Sequence, residues 1–547
     1  MNGQEYKRLL EAGYKLLKLN VEEVNDLNVF PIPDGDTGDN MCSTMHGGVA
    51  ALEGVEDTSL KVVSEKAARG MLLNARGNSG VILSQIFAGI KIGFSTLEDE
   101  EEADLFDAVA ALEKGVETSY TAVEKPTEGT MLTVLRESVE YAKANSAMSD
   151  KAEFFEKLIK GAEISLENTP ELLDVLKEAG VVDSGGKGIC YILKGMYAAL
   201  KGESIEDAAN GSAVKTDNID FSLFTEDSVM KFGYCTEFLL RLTKAKTDIE
   251  KFDIDAFIKG LKPLGDSIVA FLTGTVVKVH IHSFNPDEIL KYALNFGEFL
   301  TMKIENMTLQ HNETLVEKKK YKKNRKHKKF GVVTVATGAG LKKTFEDLGA
   351  DVVIDGGQGN NPSLENFLEA YDAVNADEIF VLPNNGNILL VAGASANEYK
   401  KSKIHVIPSK SIGDGYAALS MLDLTYDSGE KVADNLVESM ANAVTGLVCR
   451  ATREANINSV EIKKDDYLGF SDKEMLCDHQ NRLDCAYELL EKLDISEKYF
   501  LVTFYGKDMK DEERRSFESF IAEKYPELEF YGVDGGQDVY DFVFVLE

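Results

Sequence analysis

The sequence predicts a multidomain protein with an all-α N-terminal region, a small α+β middle region and a C-terminal α/β region. Three observations lead to this prediction. The chain has 547 residues, several times the length of an ordinary domain. Apolar residues recur at helical spacing up to about residue 202, and strand-like runs alternate with helical runs from residue 330 onward. The predicted boundaries are 1–202, 218–312 and 330–547, with a linker at 313–329.

Composition excludes several classes of protein. Hydrophobic residues make up 44% of the chain, enough for real cores, and the formal net charge is −33. Such a negative surface argues against nucleic acid or an anionic membrane as the main partner. No apolar stretch of about 18 residues suggests a membrane span, and the N-terminus does not resemble a signal peptide. The six cysteines are scattered, which favours reduced thiols and a cytoplasmic location.

The N-terminal region has helical runs at 60–73, 103–121, 131–143, 154–168 and 188–200, separated by glycine-rich loops. The first loop holds Asp34 and Asp36 on either side of a glycine, just before a predicted helix. Two carboxylates this close repel each other unless a cation lies between them. Their oxygen ligands favour Mg²⁺, whereas an EF-hand is excluded because Asp39 and Met45 occupy its glycine and glutamate positions. An ordinary capped turn is the alternative.

Two further loops could bind phosphate. Asn78 and Ser79 lie in a Gly-Asn-Ser-Gly loop, and Asp183 begins an Asp-Ser-Gly-Gly loop; each precedes a helical run. The backbone N–H groups at a helix start can hold phosphate oxygens. Neither loop is a Walker A sequence, and helix capping explains each loop equally well. Because several such loops occur in one helical region together with Asp34 and Asp36, the phosphate interpretation is strengthened.

The middle region contains a candidate zinc site. His280 and His282 alternate with apolar residues in a strand-like run, so both histidines are predicted to lie on one face. Cys235 could add a thiolate and leave one position open, as in catalytic zinc sites. The alternative is a polar strand face with a buried cysteine. The basic run at 318–329 is interpreted as a solvated linker or, alternatively, as an arm that binds phosphate or a partner.

The C-terminal region has an internal echo, because Asp355–Gln358 and Asp534–Gln537 both read Asp-Gly-Gly-Gln after a strand-like run. The two segments are either similar turns or parts of two related lobes. A dinucleotide-binding loop at 335–341 is excluded because Lys343 stands where its third glycine is needed. The polar loops at 360–363 and 384–387 follow strand-like runs, where ligands or partners often bind, although plain turns fit equally well.

The N-terminal motifs together resemble the nucleotide-binding domain of dihydroxyacetone kinases. The resemblance is carried by Pro-Asp-Gly-Asp-Thr-Gly-x-Asn-Met at 33–41, Gly-Asn-Ser-Gly at 77–80, Glu-Gly-Thr-Met-Leu at 128–132 and Asp-Ser-Gly at 183–185, in the family's order. It implies an eight-helix barrel that binds ATP with two Mg²⁺ ions. Asp34 and Asp36 would be Mg²⁺ ligands. The family's third aspartate falls at Val29, so Asn28 is the nearest candidate for that role. The implied nucleotide-binding residues are Thr37, Gly38, Asp39, Asn40, Asn78, Ser79, Thr130, Met131, Asp183, Ser184 and Gly185.

The order of regions along the whole chain is similar to that of the ATP-binding subunits of bacterial fatty acid kinases. This resemblance implies that Cys235, His280 and His282 bind Zn²⁺, with the two histidines as catalytic candidates beside Asp34 and Asp36. It also implies that the C-terminal region is like one lobe of the DegV-type fatty-acid-binding protein and docks such a carrier. A homodimer is implied as well.

The predicted function is phosphoryl transfer from ATP to a fatty acid that a separate carrier protein presents, which gives an acyl phosphate for phospholipid synthesis. A kinase for small hydroxyketones is one alternative, and a nucleotide-sensing regulator without catalysis is another. The former would need a histidine that traps the ketone covalently. The latter would bind ATP without turnover.

Overall fold

A computed structural model describes residues 1–28, 35–97, 102–203, 234–273, 275–306, 321, 326–457, 460–471, 474–493, 495 and 498–547. The chain forms two compact units. One unit contains Met1–Val214 together with Tyr321–Glu547, and the other contains Lys215–Lys320. The helical region and the α/β region therefore share one unit.

The described part of the N-terminal region is helical. Its helices are α1 (Gly3–Leu19), α2 (Val21–Asp26), α3 (Thr37–Ala50), α4 (Leu60–Asn74), α5 (Gly77–Phe94), α6 (Leu105–Thr121), α7 (Met131–Asn145), α8 (Lys151–Leu172), α9 (Asp174–Ala179) and α10 (Ser184–Lys201). All five predicted helical runs are confirmed, with boundaries that differ by a few residues.

The long helices pack in sequence order around one core. Helices α3 to α8 each contact the next, α8 contacts α10, and α1 contacts both α10 and α3. These contacts form a closed ring. Its interior is apolar and includes Leu17, Met41, Met71, Leu83 and Val134, all buried. The ring brings the first turns of several helices to a common end, and the eight-helix barrel remains a prediction.

The second unit is a four-stranded antiparallel sheet with two helices. Its elements are β1 (Tyr234–Leu242), α11 (Ile254–Leu261), β2 (Asp266–Thr273), β3 (Val276–Ser283), α12 (Pro286–Ala293) and β4 (Gly297–Asn306), with the strand order β2-β3-β1-β4. Val277, Val279 and Ile281 of β3 are buried against Phe257 and Ile289 from the two helices. The alternation of apolar residues along β3 therefore builds the core of this unit.

The α/β region begins with a parallel four-stranded sheet of order β6-β5-β7-β8. Its elements are β5 (Lys328–Ala336), α13 (Ala339–Asp347), β6 (Val352–Asp355), α14 (Leu364–Val374), β7 (Ala376–Leu382), α15 (Leu389–Glu398) and β8 (Lys403–Val406). Strand β5 starts inside the basic run, and Lys329 donates a hydrogen bond to the Asp427 carbonyl at 2.7 Å. The rest of that run, at 318–320 and 322–325, lies outside the described residues.

A mixed six-stranded sheet of order β13-β12-β9-β16-β14-β15 completes the region. The remaining elements are α16 (Ile412–Ser420), α17 (Gly429–Met440), β9 (Val444–Arg450), β10 (Ala455–Ile457), β11 (Val460–Ile462), β12 (Tyr467–Ser471), β13 (Glu474–His479), α18 (Arg482–Lys492), β14 (Phe500–Tyr505), α19 (Asp511–Lys524), β15 (Glu529–Asp534) and β16 (Tyr540–Leu546). Within this sheet β14 and β15 are parallel. Both Asp-Gly-Gly-Gln segments thus follow a strand–helix–parallel strand unit and leave an edge strand, an arrangement that fits similar turns as well as two related lobes.

Candidate functional site

A pocket opens where four helices of the N-terminal region begin. Helices α3, α5, α7 and α10 start at Thr37, Gly77, Met131 and Ser184, and the first turn of each contributes residues to the pocket wall. The backbone N–H groups of a first helical turn have no partner within the helix, so those that do not donate to a nearby side chain are available to an anion. The described lining residues are Asn28, Asp36, Thr37, Asn40, Asn78, Ser79, Ile82, Thr130, Met131, Asp183, Ser184, Gly185 and Asn387.

Most of the predicted site residues meet at this pocket, although loops far apart in the sequence supply them. Gly38 and Asp39 do not line it. Asp34 lies outside the described residues. Asn387, which does line the pocket, comes from the α/β region and is absent from the predicted nucleotide site.

The Asp36 carboxylate is held on both of its oxygens. Oδ1 accepts a hydrogen bond from Asn40 Nδ2 at 2.9 Å, and Oδ2 accepts one from Asn361 Nδ2 at 2.5 Å. Asn40 stands one helical turn along α3, whereas Asn361 belongs to the loop that follows β6. Both donors are neutral amides, so they orient the carboxylate without cancelling its charge.

Asn28 links two of the predicted loops. Its amide oxygen accepts hydrogen bonds from Thr37 Oγ1 at 2.7 Å and from Ser184 Oγ at 3.1 Å. The start of α3 and the start of α10 are therefore tied through one side chain. The Asn28 amide oxygen already accepts two hydrogen bonds, and its role as a metal ligand stays a prediction.

Asp39 does not line the pocket, and its carboxylate is held by Asn25. Asn25 Nδ2 donates to its Oδ2 at 2.8 Å, and the Asn25 amide oxygen accepts from the backbone N–H of Gly38 at 2.7 Å. Desolvation raises the pKa of Asp39, while the Asn25 hydrogen bond and the Arg76 guanidinium act in the opposite direction. The implied contact of Asp39 with the nucleotide therefore stays a prediction.

The second loop requires glycine at its first helical position. Gly77 has φ +54°, and a Cβ there would lie 2.5 Å from Asn40 Nδ2 and 3.1 Å from Asn361 Nδ2. A side chain at this position would therefore push into the two amides that hold Asp36. Asn78 and Ser79 follow directly and line the pocket.

The loops at 129–131 and 183–185 also contribute residues to the pocket wall. Gly129, with φ +81°, donates its N–H to Thr133 Oγ1 at 2.9 Å and leads into Thr130 and Met131. Asp183 caps α10, because its Oδ2 accepts the Gly186 N–H at 2.6 Å. Burial raises the pKa of Asp183 to about 6. The capping interpretation of this loop is therefore confirmed, and its contact with a nucleotide stays a prediction.

The charges around the pocket favour a bound cation when a polyphosphate is present. The described lining residues include the carboxylates Asp36 and Asp183 but no lysine or arginine. Oxygen donors dominate the wall, and the Asn78 amide oxygen is buried without a hydrogen-bond partner among the described residues. Carboxylate and amide oxygens suit Mg²⁺, so the residues present fit that ion.

In the second unit, the pairing of strands β1 and β3 determines which of the predicted zinc residues lie opposite each other. Strands β1 and β3 are antiparallel, with Cys235 opposite His282 and Glu237 opposite His280. Directly opposite residues are cross-strand neighbours. The side chains of these four residues lie outside the described part. Within the described part, no group of three His, Cys, Asp or Glu side chains is arranged to hold a metal.

Asn361 and Asn387 are the site residues that sequence reasoning missed. Both fall in the polar loops at 360–363 and 384–387, which the sequence marks as possible binding loops after strands. The signal is therefore present, but it points to a separate ligand or partner. Nothing in the local sequence indicates that these loops meet Asp36, more than 300 residues earlier.

No helix in the described segments has the length and apolar character needed to cross a bilayer. Comparison with protein families gives three adjoining matches. They are the DAK2 domain at residues 31–198, the FakA-like middle domain of fatty acid kinases at 231–314 and the FakA-like C-terminal domain of fatty acid kinases at 331–547.

Curated relatives align along the whole chain. Protein YloV of Bacillus subtilis (strain 168) is 36% identical over 558 aligned residues, which cover 100% of this chain and 99% of the relative. An uncharacterized protein of Staphylococcus aureus (strain USA300) is 35% identical over 559 aligned residues, with the same coverage of 100% and 99%.

Solved structures align only in part. The dihydroxyacetone kinase from C. freundii in complex with AMP-PNP and Mg²⁺ matches 35% of this chain and 33% of its own, at 18% identity and a TM-score of 0.28. DegV, a fatty acid binding protein from Bacillus subtilis, matches 40% of this chain and 100% of its own, at 14% identity and a TM-score of 0.31. Both TM-scores are too low to support a shared fold, so the likeness of the C-terminal region to a DegV lobe stays a prediction.

The three family matches follow one another along the chain, and the relatives align from end to end. The helical pocket lies within the DAK2 match, and the loops that supply Asn361 and Asn387 lie within the C-terminal match. The chain therefore belongs to the FakA-like family of fatty acid kinase proteins, within the dihydroxyacetone kinase superfamily.

Proposed function

We propose that this chain is the ATP-binding subunit of a fatty acid kinase and phosphorylates a fatty acid carboxylate that a carrier protein presents. The observation that carries the proposal is the convergence of four helix starts and Asp36 on one pocket. A triphosphate needs many N–H donors and compensating positive charge, and it needs little covalent chemistry from the protein. The pocket offers the donors and an acidic site for the cations.

Different residues of the pocket would bind the phosphates, the Mg²⁺ ions and the nucleoside. The first turns of α3 and α5, with Thr37, Asn78 and Ser79, would bind phosphate oxygens. Asp34, Asp36 and Asn28 would hold two Mg²⁺ ions, which would supply the positive charge that neutralises the triphosphate. The loops at Thr130 and Asp183 would contact the nucleoside side, while Gly38 and Asn40 shape the start of α3.

The acceptor needs no strong base from the protein. A fatty acid carboxylate is already ionised near neutral pH, so its oxygen can attack the γ-phosphorus directly. Bond formation to that oxygen and loss of ADP then give the acyl phosphate. The site's contribution is therefore placement and electrostatics.

The other regions would serve the acceptor. We propose that residues 330–547 dock the carrier and that residues 218–312 hold Zn²⁺ through Cys235, His280 and His282 near the acceptor. Residues 1–202 would form the kinase domain, residues 313–329 would link the middle and C-terminal domains, and two copies of the chain would associate.

Turnover of labelled ATP tests the proposal. The full chain with Mg²⁺ is incubated with a lipid-loaded carrier of the DegV type, with the empty carrier, or with dihydroxyacetone. We expect labelled acyl phosphate only with the loaded carrier. Phosphorylation of dihydroxyacetone with no reaction of the carrier's lipid would overturn the acyl assignment, and nucleotide binding without any turnover would favour the regulator.

A further inference from the structure

The nucleotide pocket is not built by the helical region alone. The loop after β6 reaches Asp36 through Asn361, and the loop after β7 reaches the pocket through Asn387. Asn78 Nδ2 donates to Asn387 Oδ1 at 3.5 Å, the long end of the hydrogen-bond range. Both loops leave the carboxyl ends of strands in the parallel sheet, where α/β proteins commonly place ligand contacts.

Packing holds these loops firmly against the helices. Ala75 and Val81, which flank the second pocket loop, are buried in one apolar cluster with Leu364, Phe367 and Ile388 of the α/β region. This cluster gives the two asparagines fixed positions relative to α5.

Backbone contacts reinforce the same junction. The Leu364 N–H donates to the Ala75 carbonyl at 3.2 Å, and Arg76 forms an isolated bridge with Ser363. The loop that carries Asn361 is therefore anchored to the helical region within three residues of that asparagine.

A neutral asparagine at position 361 is a suitable hydrogen-bond donor to an aspartate that binds a metal ion. A lysine or arginine at this position would hold Asp36 more strongly, but its charge would compete with a cation. A neutral amide orients the carboxylate and leaves it anionic. The Asn361 side chain is 2% exposed, and its own amide oxygen lacks a hydrogen-bond partner among the described residues.

That unpaired acceptor indicates a missing partner. A buried acceptor without a donor is costly, and the Asn78 amide oxygen nearby is in the same state among the residues described. A water molecule bound to a cation beside Asp36 would donate to such oxygens. Asn78 lines the pocket together with Asp36, and Asn361 donates to Asp36, so both side chains belong to the surroundings of that carboxylate.

From these contacts we infer that the α/β region completes the nucleotide site, with Asn361 as a positioning residue for Asp36 and Asn387 as a residue that contacts the bound nucleotide. The inference rests on the proposed function. Its consequence is that nucleotide and Mg²⁺ binding require residues from both the helical region and the α/β region. A partner docked on the α/β region would then act on a surface continuous with the nucleotide site.

The first test measures binding rather than turnover. Calorimetry of the full chain with a non-hydrolysable ATP analogue compares wild type with Asn361→Ala and Asn387→Ala at several Mg²⁺ concentrations. Loss of a hydrogen bond to a charged group is expected to raise the half-saturating Mg²⁺ concentration of Asn361→Ala about tenfold. Asn387→Ala should weaken nucleotide binding about threefold to tenfold at saturating Mg²⁺.

Matched controls lie close by in the same region. Asn360 and Asn397 are exposed asparagines outside the pocket lining, so Asn360→Ala and Asn397→Ala should stay within about twofold of wild type. Absence of nucleotide binding by the wild type would refute the proposed function itself. Wild-type binding with no change in Asn361→Ala and Asn387→Ala would refute only the present inference.

A second variant separates positioning from packing. Asn361→Asp keeps the size of the side chain but places a carboxylate beside Asp36, and two such groups bind a cation between them. We expect Mg²⁺ without nucleotide to raise the melting temperature of Asn361→Asp more than that of wild type, and that of Asn361→Ala less. Equal responses of both variants to Mg²⁺ would mean that Asn361 only packs the interface and would overturn its assignment.

Discussion

Glycine-rich polar turns occur in both regions of the large unit, and the two sets line different cavities. In the helical region they precede α3, α5 and α10, and their residues line the pocket at the helix starts. In the α/β region the two Asp-Gly-Gly-Gln turns follow strands and line a separate cavity, and some of their polar groups also bond to other parts of the fold. The Gly535 carbonyl accepts the N–H groups of Gly340 and Leu341, each at 3.1 Å. Composition alone therefore does not separate the two sets, and the loops proposed to bind nucleotide are those that lead directly into a helix at the first pocket.

The largest contrast is expected between the aspartates of these turns. Asp36→Asn removes the anionic ligand at the pocket and should lower ATP turnover roughly a thousandfold or more. Asp355→Asn changes the first residue of the strand-end turn, where Asp355 pairs with Lys342, and should leave turnover within about twofold. Steady-state kinetics with loaded carrier would measure both. Equal losses in the two variants would remove the distinction between the turns.

The next contrast uses two glycines with positive φ. Gly77→Ala should weaken nucleotide binding at least about tenfold, because the new Cβ displaces Asn40 from Asp36. Gly536 has φ +68° but open space, since its Cβ would meet nothing nearer than 3.6 Å. Gly536→Ala should cost only backbone strain, about 1 kcal/mol, with unchanged binding. Calorimetry and urea unfolding distinguish these outcomes. Normal nucleotide binding by Gly77→Ala would contradict the account of that loop.

A smaller effect is expected at the second strand-end turn. The Gln537 side chain is buried, and its Nε2 donates to the Phe504 carbonyl at 3.0 Å. Gln537→Ala should lower the free energy of unfolding by about 1–2 kcal/mol. Nucleotide affinity should not change. Loss of affinity without loss of stability would show that this turn also serves the site.

The smallest expected effect is a pH dependence at Asp183. Burial raises its pKa to about 6 in the folded protein, above the ordinary value of 3.8. Its ionised form is therefore disfavoured by folding, so stability falls as the pH rises from about 4 through about 6. Asp183→Asn keeps a capping side chain without the titration.

Unfolding experiments without nucleotide or Mg²⁺ would show this dependence. Between about pH 4 and about pH 7, the free energy of unfolding of Asp183→Asn should rise relative to that of wild type. A difference between the two free energies that does not change with pH would contradict the assignment of Asp183 as a buried acid.

Local patterns predict much of the helical region. The helical runs are recognisable from apolar spacing, and the loops at Asp36, Asn78, Thr130 and Asp183 stand out by their glycine and polar residues before a helix. These features depend on neighbours within one or two turns. The structure gathers them at a single pocket.

Long-range features are harder to predict. The apolar alternation at 267–283 reads in the sequence as one strand-like run, but it forms the two antiparallel strands β2 and β3. Local patterns do not identify β9, β12 or β13; β12 and β13 form a hairpin, whereas β9 pairs with β12 and with the distant strand β16. The Asp36–Asn361 contact is of the same kind, since no local signal encodes which loop meets which.

The most direct test is the binding of a non-hydrolysable ATP analogue to the full chain and to Asp36→Asn, each with Mg²⁺ and with a chelator. Binding is predicted for the wild type with Mg²⁺, and it should fall by at least about a hundredfold when either Mg²⁺ or the carboxylate is removed. Equal affinity in all four conditions would contradict the claim that Asp36 seats a metal-bound nucleotide at the start of these helices.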